Sequence, residues 1–106
     1  VNGANNLAIQ FETVSGGMYD GALPTAGVTQ DEWTHIAFAW DGGTCSCSIN
    51  GIFDNSDTTT GNTFASSSGS SYIGHIDCYG SWNGLMDVIR IYDRVLSPEE
   101  IVKLAE

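Results

Sequence analysis

Apolar and polar residues alternate with a period of two along much of this chain. Leu7, Ile9 and Phe11 interleave with Ala8, Gln10 and Glu12, which predicts a strand with one buried face. Gly16-Gly17 then turns the chain, Met18–Asp20 reads as a short return strand, and Gly21, Pro24 and Gly27 mark a loop. The most strand-like stretch is Trp33–Trp40, with Ile36, Phe38 and Trp40 on one face and His35, Ala37 and Ala39 on the other. Small residues behind a bulky face imply close packing on both sides. Asp41-Gly42-Gly43 predicts a hairpin into Thr44–Ile49, where Cys45, Cys47 and Ile49 share one face and Thr44, Ser46 and Ser48 the other. Asn50-Gly51 is a second tight turn, leading to Ile52 and Phe53.

From Asp54 to Ser71 the pattern is almost wholly polar and predicts a long loop, with a short edge strand around Thr63–Ala65. Ser71–Ile76 reads as a strand, Asp77–Trp82 as a loop, and Leu85–Tyr92 as a nearly continuous apolar strand suited to mid-sheet. The period then changes. Ser97-Pro98-Glu99-Glu100 has the form of a capping box with proline at the first helical position, and Ile101 and Leu104 make the apolar stripe of a short terminal helix.

Composition supports strands and turns over helices: 40 of the 106 residues are Gly, Ser, Thr or Asn. Length allows one domain, residues 1–106, with a single core. The charge of −10 arises from a shortage of basic residues, since only Arg90, Arg94 and Lys103 oppose 13 acidic side chains. Binding to nucleic acid, sulfated glycans or anionic membranes needs a basic stripe, and none is present. No apolar run reaches the roughly 20 residues of a membrane span. The chain opens at Val1 without Met or a signal-peptide pattern, so the expectation is a segment processed or excised from a longer protein.

Three stretches, taken in order, carry a family pattern: Trp33-Thr34-His35-Ile36-Ala37, Ser48-Ile49-Asn50-Gly51-Ile52 and Tyr72-Ile73-Gly74. A longer one follows, from Trp82-Asn83-Gly84-Leu85-Met86-Asp87 through Ile91-Tyr92-Asp93-Arg94 to Ser97-Pro98-Glu99-Glu100-Ile101. Together they resemble the laminin-G-like jelly rolls of the concanavalin A-like lectin and glucanase superfamily, found in large bacterial surface and secreted proteins. The resemblance spans about residues 5 to 106. It implies an all-β fold, an antiparallel two-sheet jelly-roll sandwich with a short C-terminal helix. Such domains usually run longer and begin with further N-terminal strands, so this one reads as an N-terminally shortened version. Uncovered strand edges are a liability. The expectation is therefore either completion by strands of a partner copy, as a homo-oligomer, or a pared-down sandwich.

Candidate chemistry is sparse. The clustered Glu-x-Asp-x-Glu of the related glucanases is missing, Glu12, Glu32, Glu99, Glu100 and Glu106 are scattered, and neither His35 nor His75 accompanies a nucleophile elbow. The reading is of a protein that is not an enzyme. Cys45, Cys47 and Cys78 read as buried inert thiols, the alternatives being a disulfide to Cys78 or a zinc site completed by a histidine. For Ca2+, oxygen donors lie near predicted turns at Asp41, Asn50, Asp54, Asn55, Asp57, Asp77 and Asp87. Asp87 is the sharpest metal candidate, since it stands among apolar neighbours where an unpaired carboxylate is costly, and the resemblance implies an acidic calcium ligand in this region. The competing reading pairs Asp87 with Arg90 or with turn N–H groups.

Sugar binding needs aromatic faces beside amides and carboxylates on loops held by a rigid sheet. His75, Asp77, Tyr79, Trp82 and Asn83 form the densest such cluster, although Trp82 also fits a packing role; Trp33 and Trp40 read as core. The function these residues favour is a non-catalytic extracellular or cell-surface binding module for a neutral carbohydrate or a protein partner. A structural sandwich that self-assembles through uncovered strands, and an accessory part of a glycoside hydrolase, are the alternatives.

Overall fold

The computed structural model describes residues 9–13, 17–21, 28–58, 72–76 and 80–106. Among these residues the strands form three antiparallel sheets. Strands β1 (Ile9–Thr13) and β2 (Gly17–Gly21) pair from Ile9↔Gly21 to Thr13↔Gly17, as the alternation and the Gly16-Gly17 turn predict. Strands β3 (Ile36–Trp40), β4 (Thr44–Ile49) and β5 (Ile52–Thr58) make a three-stranded meander, and β6 (His75–Ile76) pairs with β7 (Gly80–Ser81). Helix α1 (Pro98–Ala105) closes the chain.

Turn chemistry fixes the meander. Asp41 Oδ1 accepts the backbone N–H groups of Gly43 (2.9 Å) and Thr44 (2.7 Å), which closes the β3–β4 loop and holds the Asp41 carboxyl below its ordinary pKa. Asn50 and Gly51 both take positive φ (53° and 83°), the conformation of a two-residue turn whose twist suits a hairpin. The same Asn50 ties in β3: its Oδ1 accepts from His35 N (2.9 Å) and its own N–H donates to His35 O (2.8 Å).

Across the meander Phe38 stands opposite Cys47 and Trp40 opposite Cys45. Both cysteines are fully buried, with Phe38 and Trp40 packed on them. The two thiols are free, and burial pushes each up to about pKa 11, which makes them poor nucleophiles. This is the inert-thiol reading for Cys45 and Cys47; Cys78 lies outside the described residues.

The opposite face of the meander receives α1. Ala39, Ser46, Ser48 and Phe53 line one side of a cleft of about 250 Å³, and Val95, Leu96, Pro98 and Ile101 the other. The small residues of β3 and β4 make room for this layer, which is the two-sided packing their pattern predicts. The capping box is complete: Ser97 Oγ accepts from Glu100 N (3.2 Å), and Glu100 Oε1 accepts from Ser97 N (2.9 Å). Arg94 grips the same carboxylate with two hydrogen bonds, at 2.9 and 2.6 Å. These contacts, Arg94 foremost, lower the Glu100 carboxyl to about pKa 2.

Four expectations are corrected. Strand β5 continues through Thr58, so the first part of the predicted polar loop is a strand; edge pairing satisfies its backbone whatever the side chains. The β4–β5 register shifts between Cys47 and Ser48, making Asp54 the extra residue of a bulge, its carboxylate 3.7 Å from Cys47 Sγ. Leu85–Tyr92, expected as a buried strand, is irregular and exposed, with Leu85 78% and Ile91 86% accessible. A strand needs a neighbour for its backbone, and no strand among the described residues pairs with this segment. Asp87 is accordingly exposed and not buried, and its Oδ1 accepts the N–H of Val88 (2.8 Å), a residue at φ 52°. Trp33, expected in the core, precedes β3 and is exposed. The expected edge strand around Thr63–Ala65 and the loop after Gly21 lie outside the described residues. Of the predicted Ser71–Ile76 strand, His75 and Ile76 are paired and Tyr72 to Gly74 lead in.

Candidate functional site

The predicted glycan cluster falls on the β6–β7 hairpin. His75 pairs with Ser81 and Ile76 with Gly80, and Trp82 N donates to Gly74 O at 2.6 Å, extending the ladder beyond both strand ends. Gly74 takes φ 92°, a conformation that suits glycine; a Cβ there would meet the terminal methyl of Met86, the flexible end of a side chain.

On this frame the half-buried His75 ring places Nδ1 2.9 Å from Ser81 Oγ, a hydrogen bond that orients the imidazole. The Tyr72 ring stands nearly perpendicular to it, centroids 5.7 Å apart at 80°, and Tyr72 is 66% exposed. Trp82 is half-buried and anchored: its indole N–H donates to Leu85 O (3.2 Å), and the space beside Gly84 lies about 3 Å from its ring atoms, so that any side chain at 84 would press on the indole. Asn83 follows it, exposed.

His75 contacts Ser81 and Tyr72, Trp82 is tied to Gly74 and Leu85, and Asn83 follows it in sequence, while Asp77 and Tyr79 lie outside the described residues. Two contributors escaped the sequence reading. Tyr72 falls in the predicted strand and Ser81 in the predicted loop; the cross-strand register His75↔Ser81 and the Tyr72–His75 ring contact join them to His75. The hairpin carries no lysine or arginine. All three basic residues lie at positions 90 to 103, and Arg94 is engaged by Glu100. Among the described residues no group of three or more His, Cys, Asp or Glu is placed to hold a metal ion, and Asp87 Oδ1 accepts the N–H of Val88.

The described residues form a mostly β domain with antiparallel ladders and a capped C-terminal helix. The sequence profile of the concanavalin A-like lectin/glucanases superfamily, in its laminin-G-like branch, matches residues 1–102, and the chain belongs to that family. It is also similar to the crystal structure of residues 221–444 of an S-layer domain-containing protein from Clostridium thermocellum. The two share 28% identity at a TM-score of 0.61, over 85% of this chain and 46% of that one. The chain therefore spans just under half of that solved structure. No curated protein matches it. No helix among the described residues is long and apolar enough to cross a membrane.

Proposed function

We propose that this chain is a non-catalytic binding module, displayed at a cell surface or secreted, that takes a neutral glycan on the β6–β7 hairpin. The observation that carries this reading is the set of groups on and beside the hairpin: an exposed tyrosine, a histidine oriented by a serine, an anchored tryptophan and an exposed asparagine. Stacking faces beside hydrogen-bonding groups suit a sugar ring. A net charge of −10 and a hairpin without basic side chains disfavour sulfated or otherwise anionic glycans. Membership in a superfamily that includes lectins, and likeness to part of an S-layer domain-containing protein, support the reading by analogy. The test is an array of neutral and anionic glycans probed with the whole chain, followed by melting curves with each hit. Binding and stabilisation by neutral glycans support the reading; recognition of none refutes it.

A second reading rests on a separate observation. Leu85, Val88, Ile89 and Ile91 are exposed together along one segment, a patch that in many proteins is an interaction surface. Under it, the domain completes its two-sheet jelly roll by pairing this segment with a strand of another copy. Sedimentation over a range of protein concentrations, with no saccharide present, separates the two: a monomer throughout removes the second reading.

A further inference from the structure

We propose that Asn83 is a site of spontaneous deamidation: in water its side-chain amide is lost to attack by the Gly84 backbone nitrogen, leaving aspartate or isoaspartate beside Trp82. Asn-Gly is the dipeptide in which this attack is least hindered, because glycine has no Cβ to shield the nitrogen. The chain holds three such pairs, Asn2-Gly3, Asn50-Gly51 and Asn83-Gly84, and the last two lie among the described residues. Asn50 and Asn83 are both exposed, so access to water does not separate them. Their hydrogen bonds do.

Asn50 is held at both ends. Its Oδ1 accepts from His35 N at 2.9 Å, its own N–H donates to His35 O at 2.8 Å, and its φ of 53° is fixed by the turn that pairs Ile49 with Ile52. Bringing Asn50 Cγ onto the Gly51 nitrogen means breaking these contacts first. At Asn83 nothing comparable has to break. Its side-chain amide has no hydrogen-bond partner and the Gly84 N–H no backbone acceptor among the described residues, and the segment carries neither strand nor helix. The fold also keeps glycine at 84, since a Cβ there would come within 3.0 Å of the Trp82 ring. The packing that seats the indole thus leaves the attacking nitrogen bare.

The reaction needs only water and hydroxide. Hydroxide takes the Gly84 amide proton, the nitrogen bonds to Asn83 Cγ, and the Cγ–Nδ2 bond breaks. Ammonia leaves with a proton drawn from water, which restores the hydroxide and closes a succinimide. Water then opens the ring: at Cγ it gives aspartate, and at the main-chain carbonyl it gives isoaspartate, with the chain rerouted through Cγ. Either product adds a negative charge. Isoaspartate also adds a methylene to the backbone between Trp82 and Leu85, the two residues joined by the indole hydrogen bond.

The experiment incubates the whole chain in mildly alkaline buffer, native and in urea, and follows it over days by fragmentation of the intact chain in a mass spectrometer. Electron-transfer cleavage locates each amide-to-acid exchange and tells isoaspartate from aspartate. In the native chain the expected rate at Asn83 is at least about tenfold that at Asn50, the factor set by two hydrogen bonds that must open before Asn50 reacts. In urea, where the turn is lost and only residual structure remains, the two rates should agree within about threefold. Native Asn50 reacting as fast as Asn83, or native Asn83 staying intact while it reacts in urea, overturns the proposal. A tenfold preference for Asn83 that persists in urea overturns it too, since the fold would then have no part in the choice.

Discussion

Replacing Gly51 by alanine tests how α1 is held on the meander. Gly51 sits at φ 83°, a conformation that costs an L-residue roughly 1 to 2 kcal/mol. An added Cβ would also lie 3.2 Å from Val102 Cα and 3.3 Å from Ala105 Cβ, so the methyl must push a helix backbone aside. Overpacking of this kind costs roughly 1 to 3 kcal/mol. The two parts together predict a loss of about 2 to 5 kcal/mol, a large share of the roughly 5 to 15 kcal/mol that holds a small domain. Urea unfolding, monitored by tryptophan fluorescence, measures the loss. A double-mutant cycle with Ala105→Gly separates the parts, because removing the Ala105 methyl relieves one clash and leaves the φ cost intact. The predicted coupling is at least about 0.5 kcal/mol. A total loss below about 0.5 kcal/mol, or strict additivity with Ala105→Gly, would refute the docking of α1 over this turn.

Further predictions follow from charge and burial. Because the Glu100 carboxyl is lowered from its ordinary 4.5 to about 2, its contribution to stability is complete above pH 4.5 and disappears as pH falls toward 2. Glu100→Gln should therefore melt below wild type at pH 7, with the gap closing across that acid window; a gap independent of pH contradicts the Arg94 and Ser97 contacts. Cys45 and Cys47, pushed up to about pKa 11, should react with iodoacetamide slowly in the native protein and rapidly in urea, and equal rates would place them at the surface. Asp87, exposed and bonded to its neighbour's N–H, should tolerate Asp87→Asn with little change in melting temperature and no difference on adding calcium to chelator-treated protein. A calcium-dependent rise that vanishes in Asp87→Asn would restore it as a ligand.

What the residues disclosed and what they hid divides along a physical line. The turns at Asp41-Gly42-Gly43 and Asn50-Gly51, the Ser97 capping box and the two-faced β3 and β4 were legible, because each rests on contacts between residues a few positions apart. Leu85–Tyr92 was not, because a strand exists only with a partner, and β-branched residues alone cannot keep an unpaired backbone extended and buried. For the same reason the reading of Asp87 as a buried carboxylate failed along with its segment. At the candidate site the ingredients His75, Trp82 and Asn83 could be read from composition of the loop. The roles of Tyr72 and Ser81 depended on a cross-strand register, His75↔Ser81, and on which indole was already occupied.

Mapping a bound glycan directly onto the backbone is the most direct test of the central claim. With isotopically labelled chain and a saturating neutral glycan from the array, amide chemical shifts should move at residues 72–75 and 81–84 and stay in place along β3, β4 and α1. Shifts confined to other surfaces, or none at any concentration, would contradict a glycan site on the β6–β7 hairpin.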